Sequence, residues 1–165
     1  MIDKYKKFQR IAVLADVQNL FYSARHQYHA KVNFAKLLDK LVNGRQLIRA
    51  IAYVVQTKEI DQSSFLDMLN HTGYEVRSKD LKVRADGSSK GDWDMGIAVD
   101  AIALSDRLDV VVLVSGDGDY VDLVNMLKGR GVRVEVCSFP KSTAEELIKS
   151  AHEYFPIEKS MLLGG

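Results

Sequence analysis

The chain has 165 residues, which predicts a single domain over residues 1–165 with room for a sizeable hydrophobic core. Its net charge of +1 gives no overall bias toward nucleic acid, and its one cysteine, Cys137, excludes an internal disulfide and a cysteine-based zinc site. No run approaches the roughly 18 apolar residues of a membrane-spanning helix, and the start, MIDKYKKFQR, lacks the apolar core of a signal peptide. We therefore expect a cytoplasmic protein that does not enter a membrane.

The first half of the chain alternates between strand and helix patterns. The expected elements are, in order, a strand at 11–15, helices at 20–29 and 34–42, a strand at 47–56, a helix at 61–72 and a strand at 74–78. Asn33 is a candidate cap for the second helix, and Asn19 could cap the first one. Asp16 directly follows the first strand, which therefore delivers a carboxylate to its C-terminal end.

The second half contains the strongest strand signal. Five consecutive aliphatic residues at 110–114 are typical of a strand that is covered on both faces, so we expect it at the centre of a sheet. After a polar stretch at 79–91, the other expected elements are helices at 94–105, 120–128 and 144–151 and a strand at 132–139. In this last strand, valine alternates with Arg133 and Glu135, which predicts an edge strand with one wetter face.

Strands that alternate with helices predict the α/β class, as a doubly wound, Rossmann-like parallel sheet of about five strands in the order 3-2-1-4-5. This order places the first strand beside the fourth, and the chain changes direction across the sheet between them. Asp16 and Asp117, at the C-terminal ends of these two strands, should therefore meet. Asp94, at the start of the helix before the fourth strand, can reach the same crevice.

Four carboxylates, those of Asp16, Asp94, Asp117 and Asp119, would then surround one cleft. Like charges this close repel each other unless a cation lies between them, and oxygen ligands suit Mg²⁺ or Mn²⁺. One such ion, or two, can activate a water for phosphodiester hydrolysis. Asp92 and Asp100 are alternatives to Asp94. Asp100 lies six residues further along the helix and about 120° around it from Asp94, so the two should not both face one ion.

Polar, basic and aromatic residues beside these acids are candidates for substrate contacts. Lys90 could hold the scissile phosphate or stabilise the transition state. Asn19 and Ser115 could orient substrate or water, or could simply hydrogen-bond the turns in which they lie. Trp93 could stack on a base, or could pack at the start of its helix.

Basic residues fall in two stretches, one from Lys4 to Arg10 and one that includes Arg77, Lys79 and Arg84. Either stretch could be an ordinary solvated face. The second would become a substrate-binding surface, with Arg84 as a candidate contact, if the fold placed it beside the carboxylates.

Three motifs in chain order resemble the NYN domain family, LabA-like group, of the PIN-like nuclease superfamily. They are DVQN at 16–19, KGDWD at 90–94 and SGDGDY at 115–120. The resemblance implies a PIN-like fold and a metal-dependent ribonuclease acting on RNA, with Asp16, Asp94, Asp117 and Asp119 in the acidic positions. It also implies that Asn19 and Ser115 are their polar companions. Val17 stands where many members carry glycine, which changes the turn after the first acid.

The leading hypothesis is therefore a ribonuclease that uses Mg²⁺ or Mn²⁺ and a water nucleophile. The alternative is a non-catalytic RNA-binding or regulatory module that retains the fold and the metal. An aspartyl-phosphate phosphatase would need an acid two residues after its nucleophile, where this chain has Gln18. The chain contains neither G-x-G-x-x-G nor the P-loop pattern. Leu162 and Leu163 could support a homodimer.

Overall fold

Residues 4–83, 85, 89–90 and 92–163 are described in the computed structural model, with the backbone alone described at 83, 89 and 90. The main sheet contains six strands: β1 (Arg10–Asp16), β2 (Gln46–Gln56), β3 (Glu75–Asp80), β4 (Val110–Val114), β5 (Arg133–Ser138) and β6 (Glu153–Pro156). The helices of the described residues are α1 (Val17–Tyr28), α2 (Phe34–Val42), α3 (Ser63–Thr72), α4 (Asp94–Leu104), α5 (Val121–Gly129) and α6 (Glu145–Ser150). Two short antiparallel pairs join Lys31–Val32 to Leu162–Leu163 and Lys82–Val83 to Ser89–Lys90. None of the helices described is long and apolar enough to cross a bilayer.

All strand pairs of the main sheet are parallel, and their order is β3-β2-β1-β4-β5-β6. The α/β class and the predicted order of the first five strands are confirmed. A sixth strand, Glu153–Pro156, was not predicted. It pairs with β5 from Glu135 to Ser138, so β5 is not an edge strand and the prediction that it lies at the edge is wrong. The charged residues of β5 have another physical reason, because buried Glu135 is bound by two arginines.

Helices cover both faces of the sheet, as the doubly wound arrangement predicts. Along β1 the side chains alternate between two hydrophobic cores, with Ile11, Val13 and Ala15 on one face and Ala12 and Leu14 on the other. The first core is completed by α1, α2 and α3, and the second by α4, α5 and α6. Asp16 continues the alternation on the second face, the one that α4 and α5 cover.

Helix boundaries follow the caps. Helix α1 begins at Val17, three residues earlier than predicted, because the carboxylate of Asp16 is its N-cap and accepts the backbone N–H of Asn19 at 3.3 Å. The predicted cap at Asn19 is therefore wrong. The cap at Asn33 is confirmed, since its Oδ1 accepts the N–H of Lys36 at 3.1 Å.

Candidate metal centre

Three carboxylates converge at the C-terminal edge of the sheet. Asp94 is the first residue of α4, Asp117 follows β4, and Asp119 lies in the 3-10 turn Gly118–Tyr120. One carboxylate oxygen from each lies within 4.8 Å of the other two. None of the ion pairs between side chains in the described part of the chain involves these three acids. The described residues thus supply a concentrated negative charge without an internal counter-charge.

The loop after β4 holds two of these acids through its own backbone. A Cβ at Gly116 would lie 2.5 Å from the carbonyl oxygen of Ser142, so only glycine permits this close approach of two backbones. The backbone N–H of Asp117 donates to Ser115 Oγ at 3.2 Å, and that of Asp119 donates to Asp117 Oδ1 at 2.9 Å. These bonds fix the direction of the loop, so the two carboxylates are placed by the fold.

Asp16 lies beside this cluster but is not one of the three converging acids. It is 7% exposed, and its two oxygens accept the N–H of Asn19, the hydroxyl of Ser115 and the hydroxyl of Tyr120, each at 3.3 Å. The same Tyr120 hydroxyl lies 3.1 Å from Asp94 Oδ1. Because a phenol has one proton to donate, it can satisfy only one of these two carboxylates at a time. Asp16 is therefore coupled to the converging acids through Tyr120.

The pKa values of Asp94 and Asp16 are raised, which favours the neutral carboxyl group. Burial is the main cause that raises the pKa of Asp94 to about 6, with further contributions from the charges of Asp117, Asp92 and Asp16. Burial likewise raises the pKa of Asp16, although the hydrogen bonds that it accepts act in the opposite direction. Burial also raises the pKa of Tyr120, so its hydroxyl stays a donor. Both carboxyl groups are thus poorly stabilised as anions by the protein alone.

The donor set fits a hard divalent cation. Carboxylate oxygens are the protein ligands that Mg²⁺ and Mn²⁺ take, and a cation between the acids would offset both the burial and the repulsion that raise the pKa of Asp94. Asp94, Asp117 and Asp119 could hold such an ion, with Asp16 in contact with the site through Tyr120.

The structure distinguishes Asp94 from its two alternatives. Asp92 Oδ1 accepts the backbone N–H of Asp94 at 3.2 Å and thereby supports the start of α4. Asp100 accepts the hydroxyl of Tyr53 at 2.7 Å and forms an ion pair with Arg77. Asp100 therefore has its own cation, whereas Asp94 belongs to the converging cluster.

The two polar companions support the loops of the site. Asn19 Oδ1 accepts the backbone N–H of Gly116 at 3.1 Å, which ties α1 to the loop after β4. Ser115 is fully buried and bridges Asp16 to Asp117 through its hydroxyl. These contacts hold the two strand ends together. Direct substrate contacts by either residue remain a prediction.

Trp93 lies at the start of α4 and is held on several sides. Its Nε1 donates to the carbonyl of Val54 at 2.9 Å, and a Cβ at Gly96 would lie 2.5 Å from its ring. Lys79 Nζ lies 4.5 Å from the ring centroid, and the guanidinium carbon of Arg77 lies 5.3 Å from it. Trp93 is therefore packed against its neighbours and lies next to the cationic groups of Arg77 and Lys79. Base stacking by Trp93 remains a prediction.

The two basic stretches lie at opposite ends of the sheet. Arg77 and Lys79 belong to β3, and Arg77 is in register with Tyr53, which is itself in register with Asp16. This stretch therefore borders the acids. The other reaches β1 at Arg10, six residues and about 20 Å along the strand from Asp16. Arg84 and the side chain of Lys90 lie outside the described residues, so their substrate roles remain predictions.

Tyr120 is a site residue that the sequence motifs did not predict. It is 2% exposed, and its hydroxyl connects the acid of β1 to the acid of α4. Its position at the end of SGDGDY, directly after the two loop acids, was the available signal. Sequence spacing alone could not show that this ring turns inward below the acids.

Comparisons with known proteins identify the family of this chain. The NYN domain profile matches residues 10–158. The low amplitude and bright protein LabA of Synechococcus elongatus is 28% identical over 156 residues, which cover 90% of this chain and 83% of LabA. The crystal structure of a Vibrio parahaemolyticus protein of unknown function superposes with a TM-score of 0.88 at 35% identity, covering 99% of this chain and 100% of that one. The chain belongs to the NYN domain family, as its three motifs predicted.

Proposed function

We propose that this protein is a Mg²⁺- or Mn²⁺-dependent ribonuclease that hydrolyses RNA phosphodiester bonds at the cluster of Asp94, Asp117 and Asp119. The observation that carries the proposal is the convergence of these three carboxylates, within 4.8 Å, at the switch point of the sheet. Membership of the NYN family and the resemblance to PIN-like nucleases support the choice of RNA as substrate. The predicted cytoplasmic location and homodimer remain predictions.

Each acid has a distinct role in this proposal. Asp94, Asp117 and Asp119 would hold the metal, which when bound activates the attacking water and offsets charge on the leaving oxygen. Asp16 would keep Tyr120 in place and add negative charge below the metal; direct ligation by Asp16 remains a prediction. The Tyr120 hydroxyl would hold the Asp94 carboxylate in one orientation. Arg77 and Lys79 would attract the RNA backbone along β3, and Lys90 would contact the scissile phosphate.

The alternative is a non-catalytic RNA-binding module with the same fold. The modest net charge of +1 favours it, because nucleic-acid affinity depends on many phosphate contacts with Lys and Arg. The retention of all four acids favours the enzyme. The two functions differ in turnover and not in binding, so a cleavage assay separates them.

The test is cleavage of labelled RNA, with matched DNA alongside, in Mn²⁺, in Mg²⁺ and in chelator. We expect metal-dependent cleavage of RNA that falls by about two orders of magnitude or more in Asp94→Asn and Asp117→Asn. Asp122→Asn is the matched control, because Asp122 is an exposed acid on α5 outside the cluster. It should cleave like the wild type.

Two results would contradict the proposal. Cleavage that survives in both cluster variants would come from a contaminating nuclease. RNA binding without cleavage in any metal would instead support the non-catalytic module.

A further inference from the structure

Helix α1 carries an unusual exposed surface, which we call the α1 aromatic face: Phe21, Tyr22, Arg25 and His26. Phe21 is 48% exposed and Tyr22 is 65% exposed, so two neighbouring aromatic rings of this helix face solvent. The ring of His26 lies against that of Tyr22, with 4.1 Å between the centroids. The opposite side of the helix packs normally, through Val17, Leu20 and Ala24.

The positive charge of α1 favours a negatively charged partner. α1 contains Arg25 and His26 and no acidic residue. Exposed rings interleaved with a cation match single-stranded nucleic acid, whose bases stack on the rings while its phosphates approach the cation. Duplexes cannot offer their bases in this way, because those bases are already stacked and paired.

The α1 aromatic face is joined to the candidate metal centre by the helix itself. Asp16 is the N-cap of α1, and Asn19 in the first turn accepts a hydrogen bond from the loop that carries Asp117. Tyr22 follows Asp16 by six residues, which is about 9 Å along the helix axis. The first turn of α1 lies at the edge of the sheet that carries the acids, so an RNA strand that passes over this edge would reach both the metal centre and Tyr22 on the other face of the sheet.

We propose that the α1 aromatic face is a base-stacking subsite that selects single-stranded RNA and leads it to the metal centre. The inference rests on the proposed function and adds the strandedness of the substrate. It also gives the stacking role to a surface that is free for it. Trp93, the sequence-based candidate, is already occupied by Gly96, Val54 and the cations of β3.

The test measures RNA binding in chelator, where cleavage is absent, by fluorescence anisotropy with a labelled single-stranded 12-mer. The variant is Phe21→Ala with Tyr22→Ala, and Tyr22→Phe retains the ring. Phe8→Ala is the matched control, because Phe8 is 61% exposed and precedes β1 at the end of the sheet remote from the acids. We expect the double variant to bind at least about tenfold more weakly and the other two to bind like the wild type.

Two further probes identify stacking as the cause. A 12-mer with abasic sites should bind the wild type about as weakly as the intact 12-mer binds the double variant, and a duplex should bind all variants equally. Unchanged affinity of the double variant, or an equal loss for intact and abasic RNA, would overturn the inference. Cleavage in Mn²⁺, assayed on the same preparations, tests the proposed function separately: it can persist while the α1 inference fails.

Discussion

Two carboxylates of the molecule, buried Glu135 on β5 and half-buried Asp94 at the start of α4, have opposite electrostatic environments. Glu135 on β5 is 1% exposed, and Arg45 binds both of its oxygens at 2.8 and 2.9 Å while Arg133 approaches at 3.1 Å. Burial acts to raise the pKa of Glu135, yet these two arginines hold it below the ordinary value. Asp94, in contrast, has no ion-pair partner among the described side chains, and its pKa is raised to about 6.

Glu135 is neutralised within the protein, whereas Asp94 has no cationic partner among the described side chains and could bind an external cation. A buried charge is tolerated when it is paired or when it coordinates a metal. The fold supplies two arginines to Glu135, from β5 itself and from the turn after α2. Among the described residues, only hydroxyl and backbone groups donate to Asp16 and Asp94. A divalent cation would complete the second site as the arginines complete the first.

The largest loss of stability is expected when the ion pair between Arg45 and Glu135 is broken. Arg45→Ala removes both bonds to Glu135 and two further bonds to the carbonyls of Leu41 and Val42 at the end of α2. Because the side chains of Arg45 and Glu135 are 7% and 2% exposed, the variant leaves the buried carboxylate with only the more exposed Arg133 as its cationic partner. We expect a loss of about 3–5 kcal/mol in the free energy of unfolding, measured by urea denaturation.

An exposed ion pair is the control for this variant. Lys149→Ala removes the partner of Glu145 in a pair whose side chains are 73% and 79% exposed. Such pairs contribute about 0–1 kcal/mol. If the two variants lost equal stability, burial would not be what makes the Glu135 pair important.

The second largest effect is the stabilisation of the protein by a metal ion bound at Asp94, Asp117 and Asp119. A metal that binds only the native state at one hundred times its Kd stabilises the protein by about 2.7 kcal/mol, which raises Tm by roughly 5–10 °C for a chain of this length. We expect this rise with Mn²⁺ in the wild type, measured by thermal unfolding against a chelator blank. Asp117→Asn should lose most of it, because it removes one of the three converging carboxylates.

Asp122→Asn again provides the comparison, since it removes an acidic charge from α5, the helix that follows the loop of Asp117 and Asp119, and leaves the cluster intact. An equal rise in Tm for Asp117→Asn and Asp122→Asn would mean that the ion binds by general charge attraction. Asp94, Asp117 and Asp119 would then not form a specific cation site that corresponds to the arginines around Glu135.

Much of the fold could be predicted because its strongest signals are local. The aliphatic run of β4 and the alternation of strands and helices were sufficient for the α/β class and the order of the first five strands. β6 was missed because it has only four residues, each of them half-buried or exposed, and no clear alternation. Glu135 was assigned to a wet face because no local pattern shows that Arg45, 90 residues away, reaches it.

The candidate site also has a part that the sequence could predict and a part that it could not. Asp94, Asp117 and Asp119 could be brought together by topology alone, since each ends a strand or begins a helix at one edge of the sheet. The placement of Asp16 behind Tyr120 could not, because it depends on the direction in which one ring packs. Backbone rules thus located the acids, whereas side-chain packing determined how they are connected.

The smallest expected effect is a pH dependence of stability in the metal-free protein. The native pKa of Asp94, about 6, lies above its ordinary value of 3.8, so the native state holds this proton more tightly than the unfolded state does. The stability that it contributes is complete below pH 4 and is lost as the pH rises to about 6. Asp94→Asn removes this loss and keeps an oxygen for Tyr120. We expect the variant to gain about 1 kcal/mol on the wild type between pH 4 and pH 7, after allowance for solvent screening, by urea denaturation in chelator.

Glu135 should show the opposite sign, which makes it the internal control for this measurement. Its pKa is lowered in the native state, so its contribution to stability is present above the unfolded pKa and disappears as the pH falls. Glu135→Gln should therefore be most destabilising at neutral pH and less so below about pH 4. If both variants changed with pH in the same direction, the two acids would share one electrostatic environment. Opposite slopes would show that one carboxylate is neutralised by the fold and that the other lacks a counter-charge until a metal binds.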